Sequence, residues 1–111
     1  MGVLEIEITV EEVAARRKAG EALRLLDVRE DWEFEQAHLE GAEHIPLAQI
    51  PIHLDAFLQT PEAEIICYCH TGRRSRTAAE WLRRAGFPRA RSLAGGIDRW
   101  ALDVDPSLPR Y

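Results

Sequence analysis

The strongest constraint in the sequence is one continuous stretch. The apolar run Glu64-Ile65-Ile66-Cys67-Tyr68 passes directly into Cys69-His70-Thr71-Gly72-Arg73-Arg74-Ser75 and then into a helical pattern. A short apolar run, bounded before it by the turn residues Thr60-Pro61, reads as a strand buried on both faces. Such a strand requires neighbours on each side and layers above and below. The positions Ala78, Trp81, Leu82 and Ala85 fall at i, i+3, i+4 and i+7 and predict one core-facing stripe on the following helix.

The rest of the chain repeats the alternation. Glu5-Ile6-Glu7-Ile8 alternates polar and apolar as a half-buried strand does. Thr9 offers an N-cap, with Glu12 placed for a capping box, and the helix it starts runs to Ala19 with Gly20 as its stop. Leu23 to Val28 reads as a buried strand, Glu30 to Ala37 as a short acidic helix, and Ala42 to Ile45 as a brief strand. Residues 47–59 read as helical. Arg91-Ser92-Leu93 predicts a last strand, followed by a Gly95-Gly96 turn and a helix over 97–102. Strands alternating with helices predict an α/β fold, with a mostly parallel five-stranded central sheet and helices on both faces. At 111 residues there is room for one core, expected as a single domain over 1–111, with its core at about 5–102 and a C-terminal tail over 103–111.

Composition narrows the function classes. A hydrophobic share of 46% with 30% charged residues excludes a disordered or collagen-like chain. No run reaches the roughly 18 apolar residues that span a bilayer, so no membrane partner is expected. Met1 to Glu5 has no basic region before an apolar stretch, which argues against a secretory signal and for a cytoplasmic protein with free thiols. Charge is unevenly distributed. Residues 1–68 carry 15 acidic and 5 basic side chains, whereas residues 69–111 carry 4 and 9, all nine being arginine. Guanidinium is permanently charged and forks toward oxyanions, so the second part is suited to a small anion. The acidic whole, without a basic tract, argues against nucleic acid.

Sites in parallel sheets form beyond the carboxyl ends of the strands. Cys69 stands at such an end, before a helix whose N-terminus carries partial positive charge and free N–H groups. Gly72 allows the loop to turn where other residues would be strained, and Arg73 and Arg74 add fixed charge. A nucleophilic thiolate inside an anion cradle is the expected result, with Cys69 as the catalytic residue. Cys67 is expected in the core. Side chains two apart on a strand stand about 6.6 Å from each other, whereas a disulfide needs Cβ atoms about 3.8 Å apart. Trp32, Trp81 and Trp100 are expected to pack. The spacing Cys-x-Cys-His lacks the paired pattern of a structural zinc site, so no metal is expected.

The loop Cys69-His70-Thr71-Gly72-Arg73-Arg74-Ser75 resembles the rhodanese active-site pattern Cys-x-x-Gly-x-Arg-Ser, immediately after a strand. Leu26-Asp27-Val28-Arg29-Glu30 and the stretch from His38 through Gly41 to His44-Ile45-Pro46 are similar to the family's N-terminal signature. Leu93-Ala94-Gly95-Gly96-Ile97 with Trp100 is similar to its closing motif. Ala37 stands where the family usually has glycine, and the resemblance weakens after Trp100.

The resemblance implies a rhodanese-like fold and sulfurtransferase chemistry. Cys69 would take the outer sulfur of thiosulfate or another donor as a persulfide and pass it to cyanide, a thiol or a protein acceptor. His70, Thr71, Gly72, Arg73, Arg74 and Ser75 would form the substrate-binding loop, with Arg73 as an added contact for a sulfonate. Asp27 and Arg29 would support it, the first by hydrogen bonds and the second by an ion pair. No cofactor is implied. Two alternatives stand beside this reading. One is a persulfide carrier or regulatory module serving a protein partner. The other is a cysteine-dependent phosphatase or arsenate reductase, whose Cys-x5-Arg spacing would place arginine at position 75, where this chain has Ser75.

Overall fold

The computed structural model describes residues 4–56 and 59–111. Five strands, β1 (Glu7–Ile8), β2 (Arg24–Asp27), β3 (Glu43–His44), β4 (Ile65–Tyr68) and β5 (Ala90–Leu93), form one sheet in the order β1-β5-β4-β2-β3. Every pairing is parallel, with Leu26 beside Cys67 and Cys67 beside Ser92. Helices α1 (Val10–Lys18), α2 (Asp31–Gln36), α3 (Arg73–Arg84) and α4 (Gly96–Asp103) make the connections, with a 3₁₀ helix over Leu47–Ala56.

The alternation of side chains along β4 divides the core in two. Ile65 and Cys67 face α3 and Ile50 of the 3₁₀ helix, whereas Ile66 and Tyr68 face α1 and α4. Helices therefore cover both faces, as the sequence predicts. Three local expectations change. The buried stripe of α3 is Ser75, Ala78, Ala79 and Leu82. Trp81 and Ala85 face out, because the small Ser75 and Ala79 let the helix approach β4 closely and rotate the larger residues away. Trp32 is likewise outside the core, at 57% exposed, and only Trp100 of the three tryptophans is buried. The segment expected as a helix over 47–59 is of the tighter 3₁₀ type over Leu47–Ala56, with Pro51 inside it. Phe57 and Leu58 lie outside the described residues.

Thr9 caps α1 by accepting from the Glu12 N–H at 3.1 Å. At the amino-terminal end of β4, Glu64 accepts from Arg16 at 2.6 and 2.9 Å and from Arg91 at 3.2 Å. Arg91 also donates to the carbonyls of Glu5 and Glu7, at 2.8 and 3.2 Å. One carboxylate thus ties α1, β4, β5 and the chain entering β1. The expected tail is not free, either: Val104 and Leu108 pack against the α1/α4 core.

Candidate active site

At the carboxyl end of β4 the chain leaves the sheet at Cys69 and turns through Gly72 into α3. Gly72 has φ +110°, and a Cβ there would lie 3.3 Å from the Gly95 nitrogen. This turn aims two backbone N–H groups at Cys69 Sγ, that of Gly72 at 3.1 Å and that of Ser75 at 3.3 Å. Ser75 Oγ lies 3.5 Å from the sulfur and 2.7 Å from Ser92 Oγ of β5. Cys69 is 1% exposed, so its sulfur sits under the loop. N–H groups fixed around a sulfur are suited to negative charge on it, because they need no reorganisation as that charge develops.

The loop is held from beneath by α4. The Ile97 N–H donates to the Cys69 carbonyl at 2.9 Å, and the Asp98 N–H donates to that of His70 at 3.0 Å. Such an approach leaves no room for a side chain at Gly96, where a Cβ would come within 2.5 Å of both carbonyl oxygens. The Gly95-Gly96 turn is thus the floor of the Cys69 loop.

Beside the loop runs a chain of charged groups. Asp27, at the end of β2, accepts from Arg29 Nε at 3.0 Å and Nη2 at 2.8 Å, and from its backbone N–H at 2.9 Å; both side chains are fully buried. Arg29 Nη2 also donates to the Ala37 carbonyl. Ala37 itself is extended, with φ −171°, so alanine fits where the family pattern has glycine. Arg29 Nη1 donates to the Tyr111 hydroxyl at 2.8 Å, and that hydroxyl donates to Glu33 Oε2 at 2.7 Å. Glu33 accepts a bidentate pair from Arg74, at 2.6 and 2.9 Å. Arg74, with the Glu30 N–H and the Tyr111 hydroxyl after it, outweighs burial and holds the Glu33 carboxyl down at about 2. The five side chains link the end of β2, α2, the segment after α4 and the Cys69 loop.

The structure therefore brings together Cys69, His70, Gly72, Arg74 and Ser75, with Asp27 and Arg29 packed beside them. Thr71 and Arg73 are exposed at the rim. Among the described residues the Arg73 guanidinium has no hydrogen bond or ion pair, whereas that of Arg74 is committed to Glu33. Glu33, Ser92 and Tyr111 were not singled out in the sequence. Glu33 accepts the Glu30 N–H at 2.9 Å, a capping contact that a glutamate at the first position does not advertise in the sequence. His44 Nε2 lies 2.8 Å from the Arg29 carbonyl and His38 Nδ1 2.9 Å from that of Phe34. Cys67 is a free thiol in the core; burial, followed by the charge of Cys69, pushes it up to about 12. Among the described residues no group of three or more His, Cys, Asp or Glu side chains is placed to hold a metal ion, and no helix is long and apolar enough to cross a membrane.

Residues 9–103 match the model of the rhodanese-like domain. The chain is 36% identical over 94 residues to the "Putative sulfur carrier protein YrkF" of Bacillus subtilis, covering 85% of this chain and 50% of that protein. It is 34% identical over 93 residues to the adenylyltransferase and sulfurtransferase UBA4 of Candida albicans, covering 78% of this chain and 21% of that one. This chain thus spans half or less of those two relatives. A crystal structure of a rhodanese-like domain protein from Staphylococcus aureus superposes with a TM-score of 0.80 at 26% identity, over 96% of this chain and 99% of that one.

Proposed function

The chain belongs to the rhodanese-like domain family, and from that premise we propose that it is a sulfurtransferase working through a persulfide on Cys69. The Cys69 thiolate attacks the outer sulfur of an anionic donor of the thiosulfate type. A new S–S bond forms, the donor's S–S bond breaks, and sulfite departs with the electron pair. A thiophilic acceptor then attacks the terminal sulfur and regenerates the thiolate, giving thiocyanate from cyanide or a new persulfide from a thiol. Two half-reactions on one nucleophile predict double-displacement kinetics. The observation carrying this reading is the pair of N–H groups on Cys69 Sγ, at 3.1 and 3.3 Å, beside the exposed Arg73.

The roles divide along the loop. Gly72 and Ser75 hold the sulfur through their N–H groups. Arg73 meets the sulfonate end of the donor, and Arg74, locked by Glu33, fixes the first turn of α3. His70 and Thr71 line the approach. Asp27 and Arg29 act as support. The chemistry needs neither a metal nor an organic cofactor. The cytoplasm, where thiols stay reduced, is the proposed compartment.

A second reading is favoured by the similarity to a protein described as a sulfur carrier. In it the acceptor is a protein, and turnover of thiosulfate is incidental. Both readings share the Cys69 persulfide. Intact mass after thiosulfate treatment and desalting tests it: a gain of one sulfur atom is expected, reversed by cyanide and absent from Cys69→Ser. No gain with thiosulfate or with 3-mercaptopyruvate would overturn the persulfide reading.

A further inference from the structure

The segment after α4 lies beyond the residues 9–103 that match the family, yet it closes onto the site. Arg110 donates to the Asp98 carboxylate from Nε at 2.9 Å and from Nη2 at 3.3 Å. Asp98 also supplies the N–H that holds the His70 carbonyl, so the loop and this segment are fixed to the same turn of α4. Tyr111 then lays its ring on the His70 imidazole, with centroids 4.3 Å apart and planes 16° from parallel. Its hydroxyl is held between Arg29 and Glu33, and Trp32 packs edge-on against the ring at 5.6 Å.

Cys69 is 1% exposed, so any reagent reaches its sulfur only past the loop. Thr71 and Arg73 are open at the rim, whereas the ring of His70, next to the nucleophile, is covered by Tyr111. Burial, with the Glu33 carboxylate adding to it against Arg29, raises the Tyr111 phenol to about 12, so the hydroxyl keeps its proton for Glu33. The ring is thus a fixed wall with one edge in solvent.

We propose that Tyr111 is a specificity-determining residue of the Cys69 site: its ring, laid over His70, narrows the approach to the sulfur and sorts donors and acceptors by bulk. The inference rests on Cys69 as the reacting group, and its test is independent of sulfur transfer. The whole chain is alkylated with iodoacetamide and with the neutral N-(1-pyrenyl)iodoacetamide. In each case the S–C bond forms as C–I breaks and iodide leaves, and Cys69→Ser is the blank. Tyr111→Ala should raise the pyrenyl rate constant roughly tenfold, the scale on which a single pocket contact discriminates size, and change the iodoacetamide rate by less than about twofold. Tyr111→Phe, which keeps the ring, should retain the wild-type ratio. Arg110→Ala, which loosens the segment without touching the ring, should shift the ratio in the same direction as Tyr111→Ala and covers the case in which that variant folds poorly. Equal acceleration of both reagents, no acceleration of the pyrenyl reagent, or a Phe variant that behaves like Ala would each overturn the proposal. A wild-type chain that sorts these reagents yet forms no persulfide would defeat the proposed function and leave the size filter standing.

Discussion

Two partly buried ionic clusters sit at opposite ends of the same sheet. At the amino-terminal end of β4, Glu64 accepts from Arg16 and Arg91. At the carboxyl ends, Asp27 holds Arg29 and Glu33 holds Arg74, with the Tyr111 hydroxyl between them. Both clusters use arginine forks on carboxylates, and each spans several elements. What differs is what the partners carry. The partners of Glu64 named above belong to scaffold, whereas Arg74 stands in the first turn of α3, directly after the loop that carries Cys69. In parallel sheets the loops that make sites leave the carboxyl ends of strands. The same interaction therefore ties scaffold elements together at one end and braces the Cys69 loop at the other.

Glu64→Ala is the severest test of that division. Removing one member of a buried pair leaves uncompensated charge, a loss of about 3 kcal/mol or more. Here Arg91 would keep only the Glu5 and Glu7 carbonyls and Arg16 only Glu21 as hydrogen-bond partners. Thermal unfolding should show a large fall in Tm, while the alkylation rate of Cys69, measured well below that Tm, stays at the wild-type value. A slower or faster cysteine in the folded variant would show that the two ends are coupled, and the comparison would break.

Glu33→Gln should cost less in stability and more in activity. The ordinary carboxylate value is 4.5, and Arg74 foremost holds Glu33 at about 2. The unfolded chain therefore binds the extra proton between those values. The stabilisation is complete above about 4.5 and is lost as pH falls through about 2. Allowing for the partial exposure of Arg74, it is worth about 2 kcal/mol at neutral pH. The stability gap between wild type and Glu33→Gln should shrink across that acid range. At neutral pH the variant should also turn over thiosulfate more slowly, because Arg74 loses its anchor. A gap independent of pH would detach the carboxylate from the acid limb of the stability curve.

The two ends were not equally legible in the sequence. The Cys69 loop was readable because its chemistry is local. Strand, cysteine, Gly72 and helix start follow one another, and the N–H groups that reach Sγ come from residues three and six positions on. Asp27 and Arg29 are two apart and pair with each other. Glu33 was hidden in a helix of acidic residues that reads as a solvated surface, and its partner Arg74 is 41 residues away. Tyr111 reaches Glu33 across 78 residues, from a segment without periodicity to predict where it docks. The α3 stripe differs from its expected positions for a related reason. Hydrophobicity favours Trp81, but the sheet selects the small Ser75 and Ala79, whose value is close approach rather than apolar area.

Arg73 is where the carboxyl-end cluster leaves one charge unused, and its substitution should have the smallest structural effect. The side chain is exposed and, among the described residues, has no hydrogen bond or ion pair, so Arg73→Ala should change stability by less than about 0.5 kcal/mol. Its effect should fall on the donor. Losing an exposed positive charge beside Cys69 should raise KM for thiosulfate severalfold while leaving kcat nearly unchanged, since the Gly72 and Ser75 N–H groups stay in place around the sulfur. The attraction acts through solvent, so the KM ratio between variant and wild type should fall as ionic strength rises and the Debye length drops below about 10 Å. Arg73→Lys separates charge from shape. Full recovery of KM would mean that a point charge suffices, and partial recovery would mean that the guanidinium fork meets the sulfonate. An Arg73→Ala variant with unchanged KM at every salt concentration would leave donor capture to the backbone alone, and the unpaired arginine would be ordinary surface.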